Sequence, residues 1–298
     1  MARKAGSPAE GDWLSERTLV PYMLDVPIVL TLIVLFVYPV VYGVYGSFIA
    51  GGELSLKNYE RLWSDGNFRN SLYVTFLYVV VYTVGIMTTG FVTAMVIDVG
   101  EESKMPGVGI FSSLLTLPYA IPDVVGALVW LWMLNPKVGV VNYLLSFLGS
   151  GGVQWLTDRH YALLSVIMVE IWRLFPMHTL IILAAFRTVP RSLYEAAELE
   201  GATPLQQFIY VTYPGIRNII RFLLLLTVVW SFKRFTMSWL LTQGGPMHAT
   251  ETMAILIFKE AFMFFNRPYA SAIAAILLVM VGVVAALYMS MPGKRGEP

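Results

Sequence analysis

"SLYEAAELEGATPLQQF", Ser192 to Phe208, lies between two long apolar runs and reads differently from both: a short acidic helix, a glycine and a second short helix. Ser192 followed three residues later by Glu195 has the spacing of a capping box, so a helix is expected to begin there. It runs through Tyr194, Ala196, Ala197 and Leu199 to Gly201, which is placed to end it. Thr203 offers a second N-cap, with Pro204 at the first helical position and Gln206 at the reciprocal site. The second helix carries Leu205, Phe208 and Val211 or Thr212 along one side and is expected to stop near Pro214. Glu195, Glu198 and Glu200 would each cost about 3 kcal/mol at the centre of a bilayer, which keeps the first helix in water. The stretch is therefore an aqueous hairpin set into a chain that is otherwise built for lipid.

The composition around it agrees. The chain has 298 residues, of which 57% are hydrophobic and 13% charged, too apolar for an ordinary soluble domain. A net charge of +1 gives no reason to expect nucleic acid as a partner. The absence of cysteine excludes disulfides, thiolate metal sites and cysteine nucleophiles. A helix needs about 20 mostly apolar residues to cross the hydrocarbon core. Six stretches qualify: Val26–Phe48, Leu72–Ile97, Val108–Met133, Ala162–Phe186, Ile219–Leu241 and Ala270–Met291. The first is longer than the core of about 7–15 residues in a signal peptide, and is expected to be a retained membrane helix. The third contains Pro118 and Pro122 and should bend or break there. Two shorter runs, Val138–Leu148 and Met253–Phe265, are expected to be re-entrant or interfacial.

The expected fold is thus an all-α polytopic membrane protein with six transmembrane helices. Lys and Arg favour an N-in/C-in orientation: the connections then inside carry ten, including Arg187, Arg191, Arg217 and Arg221, against seven outside. This divides the chain into an N-terminal cytoplasmic segment 1–25, a membrane domain 26–291 and a tail 292–298. The Ser192–Phe208 hairpin falls on the cytoplasmic side, between helices four and five. Its loop, 187–218, is long beside the other inside connection, and long structured loops tend to carry function. Physics alone leaves two readings: a solvated, well-capped loop, or a docking element made slim by Ala196 and Ala197.

The same residues resemble a known pattern. Glu195-Ala196-Ala197, three residues, Gly201, nine residues and Val211-Thr212-Tyr213-Pro214 are similar to the EAA motif of permease subunits in binding-protein-dependent ABC importers. That motif ends Ile-x-Leu-Pro, so Val211 is conservative and Tyr213 is a departure. "LKNYERLWSDGNFRNSLYVTF", "LTLPYAIPDVVGALVWLWMLNPKVGVVNYLL", "LTQGGPMHATETM" (Leu241 to Met253) and "YASAIAAIL" resemble segments of the carbohydrate branch of that family. Arg267-Pro268 departs from it before the last span. The resemblance implies a type I ABC importer permease fold in the prokaryotic plasma (inner) membrane, with a cytoplasmic coupling helix at 192–208. Glu195, Ala196, Ala197, Gly201 and Pro214 would couple it to ATPases. It also implies the partners: a second permease subunit, usually a different but similar chain, two ATP-binding subunits and an extracytoplasmic solute-binding protein. The cargo would be a sugar, polyol or sugar phosphate.

No Gly-x-x-x-x-Gly-Lys-Ser/Thr occurs, so ATP and Mg would be bound by partner subunits and no cofactor is expected in this chain. His160, His178 and His248 lack zinc-ligand spacing, so no metal is expected either. No Gly-x-Ser-x-Gly elbow points to a hydrolase. Charges inside spans are expensive, and each needs an account. Glu170 and Arg173, three apart, are expected to pair on one helix face, either orienting the bundle or lining a polar route. Lys233 and Arg234 either snorkel or line a cavity. Asp123, after Pro122, either caps a helix or faces water at a break. Tyr119, Trp130, Trp172 and Trp230 are aromatic candidates for stacking on a sugar, although Trp and Tyr also gather at membrane interfaces. A stand-alone ion- or proton-coupled transporter, using Glu170, Asp123 and Lys233, is the alternative; against it, no repeat relates the two halves.

Overall fold

The computed structural model describes residues 25–149 and 151–290. The expected N-terminal segment 1–25, but for Asp25, and the tail 292–298 lie outside the described residues. The described chain is almost wholly helical. Five helices are long and apolar enough to cross a membrane: α1 (Asp25–Ser47), α3 (Gly66–Glu102), α7 (Ala162–Phe186), α9 (Pro204–Phe232) and α12 (Arg267–Ser290). A sixth crossing comes from α4 (Val108–Ala120) and α5 (Asp123–Met133), bent by 100° at the break between them. Shorter helices fill the connections: α2 (Lys57–Ser64), α6 (Val140–Ser146), α8 (Arg191–Leu199), α10 (Thr236–Thr242) and α11 (Met253–Phe258). The only sheet among the described residues is a two-stranded hairpin, Ile49–Ala50 with Glu53–Leu54.

Prolines decide the helix boundaries, in two ways. At Pro122 the preceding residue, Ile121, is pushed to φ −77° and ψ 127°, and the third span breaks as expected. At Pro39 and Pro214 the helix does not stop. Each is preceded by a five-residue π turn, Ile33–Val37 or Phe208–Thr212, in which the next amide bonds back to the first residue of the turn. The extra residue moves the backbone that the proline ring would strike, so the helix continues through it.

This corrects the expected boundaries of the fifth span. The hairpin's second helix and the membrane helix are one rod, Pro204–Phe232, rather than a helix stopping near Pro214 and a span over Ile219–Leu241. The outer end stops at Phe232, and α10 is separate. At the entry to the last span α12 starts at Arg267, so Pro268 sits in the first turn, where its missing N–H costs nothing. Of the two short apolar runs, Val138–Leu148 supplies α6. Met253–Phe265 supplies α11, continued by a π turn over Lys259–Met263.

The core is built on α3 against α7. Towards the outer end Tyr78, Tyr82 and Ile86 of α3 pack with Val166, Ile167 and Leu174 of α7, joined by Ala127 and Trp130 of α5 and Met237 of α10. At the inner end Ala94 and Ile97 meet Ile182, Leu183 and Phe186, with Ile216 and Leu223 of α9. A third cluster, Leu62, Phe68, Met253, Leu256, Tyr269 and Ile273, holds the outer connections against α12. There Arg61 lies 4.0 Å over the Tyr269 ring, and the Tyr269 hydroxyl donates to Asp65 at 2.6 Å. Burial pushes the nearby Glu260 carboxyl above the ordinary range, and Arg61 draws it part of the way back.

Candidate functional site

The hairpin at the inner end is built from its caps. α8 starts at Arg191, one residue before Ser192, with Pro190 at the N-cap position, extended at φ −59° and ψ 132°. Ser192 is therefore inside the first turn, and the expected Ser192–Glu195 capping box does not form. The Glu195 carboxylate is exposed, with Arg191 at 3.8 Å as a loose neighbour. The C-terminus is a full Schellman motif: the amide of Gly201 bonds Glu198 O and that of Ala202 bonds Ala197 O, each at 2.9 Å, with Gly201 at φ +77°. The second cap forms as expected. The Thr203 amide donates to Gln206 Oε1 at 2.8 Å, and the Gln206 amide returns to Thr203 Oγ1 at 3.4 Å.

The inward side of this hairpin is anchored. The Tyr194 hydroxyl meets Thr212 Oγ1 at 2.8 Å, tying α8 to the π turn of α9. Phe208 packs edge-on against Phe91, with ring centroids 5.8 Å apart. An Arg187–Glu101 ion pair joins the inner ends of α7 and α3. The outward side is bare: Ala196 is exposed, Leu205 is exposed, and Leu199 has 91% of its surface uncovered. Removing the Tyr194 hydroxyl should loosen the hairpin without touching its outward face. Tyr194→Phe strands the buried Thr212 hydroxyl at a cost of about 1–3 kcal/mol. We expect the midpoint of heat unfolding of the detergent-purified protein to fall by a few degrees, roughly what that cost implies; an unchanged midpoint would remove Tyr194 from the account.

The second concentration of functional groups lies within the membrane crossing. Glu170 and Arg173 do not pair with each other, contrary to expectation. Arg173 Nε sits 2.7 Å from Asp123 Oδ1 and also donates to Ile121 O at 3.3 Å, so it serves the carbonyl exposed by the break at Pro122. Glu170 Oε2 faces Arg234 Nη1 at 3.4 Å. Tertiary partners at two helix breaks win over the local spacing, because broken ends offer polar groups that a continuous helix does not. Trp130 is buried and stands edge-on to half-buried Trp172, with ring centroids 5.3 Å apart. Trp230 is half-buried, whereas Tyr119 and Lys233 are exposed and join none of this cluster. The inward cation is Arg234, which also lies 5.8 Å over the Tyr82 ring. Of the neighbouring Lys233 and Arg234, only the structure identifies which one turns in. Tyr78 and Tyr82, stacked with centroids 5.6 Å apart, were missed; their i,i+4 spacing on a membrane helix was the available signal.

The outer loop between α10 and α11 is strained and tightly pinned. Gln243, Met247 and His248 all have positive φ. Beneath them the buried Glu251 is paired with Lys259 and lies 3.0 Å from His248 Nδ1. Asn70 donates to His248 O at 2.8 Å, and the Met253 amide donates to Thr75 Oγ1 at 2.8 Å. Among the described residues no group of three His, Cys, Asp or Glu is placed to hold a metal.

Residues 107–291, from the start of the broken third span onward, match the family described as binding-protein-dependent transport system inner membrane components. The chain belongs to that family. Among its relatives, a probable ABC transporter permease protein of Pyrococcus horikoshii is 34% identical over 281 residues, covering 90% of this chain and 94% of its own. The sn-glycerol-3-phosphate permease UgpA of Agrobacterium fabrum is 27% identical, covering 93% of this chain and 96% of its own. Among solved structures, a bacterial ABC transporter involved in the import of alginate superposes with a TM-score of 0.82 at 22% identity, over 93% of this chain and 98% of that one. The last likeness shows the fold: that of an ABC importer permease.

The protein is thus a multi-pass inner-membrane permease subunit of a binding-protein-dependent ABC importer. It is not itself an enzyme; its family's permeases carry no cofactor, and partner ATPases bind the ATP. The stand-alone, ion-coupled reading is set aside.

Proposed function

We propose that this permease supplies half of the path by which a sugar or sugar-like solute is imported, and that the 192–208 hairpin couples that path to ATP hydrolysis. The observation that carries the coupling is the bare outward side of the hairpin: exposed Leu199 on α8 and Leu205 at the start of α9, slim Ala196 beside half-buried Ala197, and an exposed Glu195 carboxylate with only Arg191 as a loose neighbour. Isolated apolar residues at the surface need no explanation, but two leucines flanking a fixed glycine turn beside an exposed carboxylate fit a groove on a partner protein. Gly201 sets the turn between the two helices. Pro214, accommodated by its π turn, leaves the second helix continuous with the membrane rod α9, so a push on the hairpin is delivered along a rigid element.

The rest of the assembly follows from that reading. Residues 26–291 form the membrane domain, with 187–218 as its coupling loop, N-in and C-in. Two ATP-binding subunits sit on the cytoplasmic side, a second and similar permease completes the path, and an extracytoplasmic protein delivers the solute. ATP binding closes the ATPases and moves the hairpin; the bundle rocks from inward-open to outward-open, accepts solute, and returns on hydrolysis. A polyhydroxylated cargo is supported by relatives named for sn-glycerol-3-phosphate and sulfoquinovosyl glycerol transport, and by the Trp130–Trp172 pair beside the charged cluster. In this reading Asp123, Glu170, Arg173 and Arg234 line the polar route, with Trp230 nearby.

The test is affinity purification of the tagged protein from its native membrane with identification of what co-elutes. A P-loop ATPase and a second permease are expected, and Glu195→Arg is expected to release the ATPase while retaining the second permease. Elution of the wild-type chain alone would overturn the proposal, as would retention of the ATPase by the Glu195→Arg variant.

A further inference from the structure

The charged cluster holds more than a polar lining. Two breaks interrupt the membrane-crossing helices, one between α4 and α5 at Ile121–Pro122 and one between α9 and α10 at Lys233–Phe235. Beyond the breaks α5 and α10 pack on each other, and a Cβ on Gly126 would sit 3.4 Å from Met237 Cε, an ordinary contact. They form one unit with two hinges. Both hinges are fastened to the same stretch of the unbroken helix α7: Asp123 to Arg173, and Arg234 to Glu170.

We infer that Arg173 and Arg234 are positioning residues for transport, and that the α5–α10 unit moves against α7 by exchange of ion-pair partners. Glu170 and Arg173 are three apart on α7, within reach of each other, yet each faces a different hinge. When the unit withdraws, Asp123 and Arg234 leave together and Glu170 closes on Arg173. No buried charge is left alone at either end of the motion, which is the condition for moving charges through a low-dielectric interior. Exposure follows the same division. The two side chains that leave have solvent access, 34% for Asp123 and 22% for Arg234; those that stay have 14% for Arg173 and 1% for Glu170. The Glu170–Arg234 contact is also loose, at 3.4 Å and outside hydrogen-bond geometry, so little is lost when it opens. This inference rests on the importer reading, since only a transport cycle requires the motion.

Because this chain has no cysteine, spin labels attach to it only where one is introduced. Leu128→Cys on α5 and Leu164→Cys on α7, both at exposed positions, take spin labels in the assembled importer, and pulsed electron resonance gives the distance between them. Asp123→Asn and Arg234→Gln each leave α7 with a charge unpaired in the arrangement seen here. Each is expected to shift the population about tenfold towards the longer distance. The double variant Glu170→Gln/Arg234→Gln keeps the Asp123–Arg173 pair but removes the alternative partner of Arg173, so it is expected to shift the population the opposite way. If a single variant fails to accumulate, the other reports on its own hinge, and the paired swap Asp123→Arg/Arg173→Asp, which keeps the hinge pair but leaves Glu170 facing a like charge, should shift the population in the same direction as the double variant. Shifts in the same direction for the single and double variants, or no shift in either, overturn the exchange. Recovery of the ATPase with the labelled protein shows separately that the importer reading stands.

Discussion

Gly201→Val is expected to cut solute uptake about tenfold or more while the ATPases stay bound and continue to hydrolyse ATP, because a β-branched residue resists the left-handed backbone at a cost of about 1–2 kcal/mol. Gly201 has φ +77°, and a Cβ there would meet nothing within 4 Å. The penalty is therefore conformational and not a clash, which makes the position an unusually clean probe. Valine would unwind the Schellman turn and release the Glu198 and Ala197 carbonyls, so α8 would no longer hold a fixed angle to α9. A lever that flexes at its elbow transmits less of the ATPase motion. Gly201→Asn, which tolerates the same backbone, should keep most of the uptake, and Gly201→Ala should fall between. The measurement is uptake and binding-protein-stimulated ATPase activity in the same reconstituted vesicles. Wild-type values for both in the valine variant would remove the turn from the coupling mechanism.

How much of this was legible in the sequence depends on whether the deciding signal was local. The Thr203–Gln206 box, the Gly201 turn and the break at Pro122 were readable because each is set by its immediate neighbours. Ala162–Phe186 was readable because an apolar run bounded by polar residues determines a span. Pro214 was misread as a stop: a proline ends or only bends a helix according to whether the preceding turn widens, and "FIYVT" carries no distinctive mark of the π turn it forms. The Ser192 box was misread because the helix starts one residue early, with Pro190 at its N-cap position. The charged cluster was legible as residues and illegible as pairs. Glu170 and Arg173 satisfy a helix-spacing rule, but their partners, Arg234 and Asp123, are brought in by two chain breaks far away in sequence. Side-chain direction at Lys233 and Arg234 was lost for the same reason: where a helix ends, periodicity no longer says which side chain faces the core.

Gly90→Leu is expected to keep the protein from accumulating in the membrane, since overpacking a close-packed core costs about 1–3 kcal/mol for small insertions and a leucine exceeds that range. Gly90 is a point of close approach between α3 and α7. A Cβ there would lie 2.8 Å from His178 Cβ and 3.3 Å from the Thr179 amide nitrogen, so the obstruction includes backbone and cannot be relieved by a rotamer change. The helices would have to separate, and small residues at such crossings are what allow backbones to approach in lipid. Separation also strikes a buried bridge. His178 Nε2 is 2.9 Å from Thr227 Oγ1, linking α7 to α9, with Nδ1 3.2 Å from Leu174 O. No water is available in the hydrocarbon region to replace those partners. Gly90→Ala should fold but lower the midpoint of heat unfolding in detergent, whereas Gly43→Ala and Gly282→Ala, where a Cβ meets nothing within 4 Å, should leave it unchanged. Equal midpoints for Gly90→Ala and Gly282→Ala would mean that the α3–α7 crossing is not the packing constraint that holds the inner and outer halves of the core together.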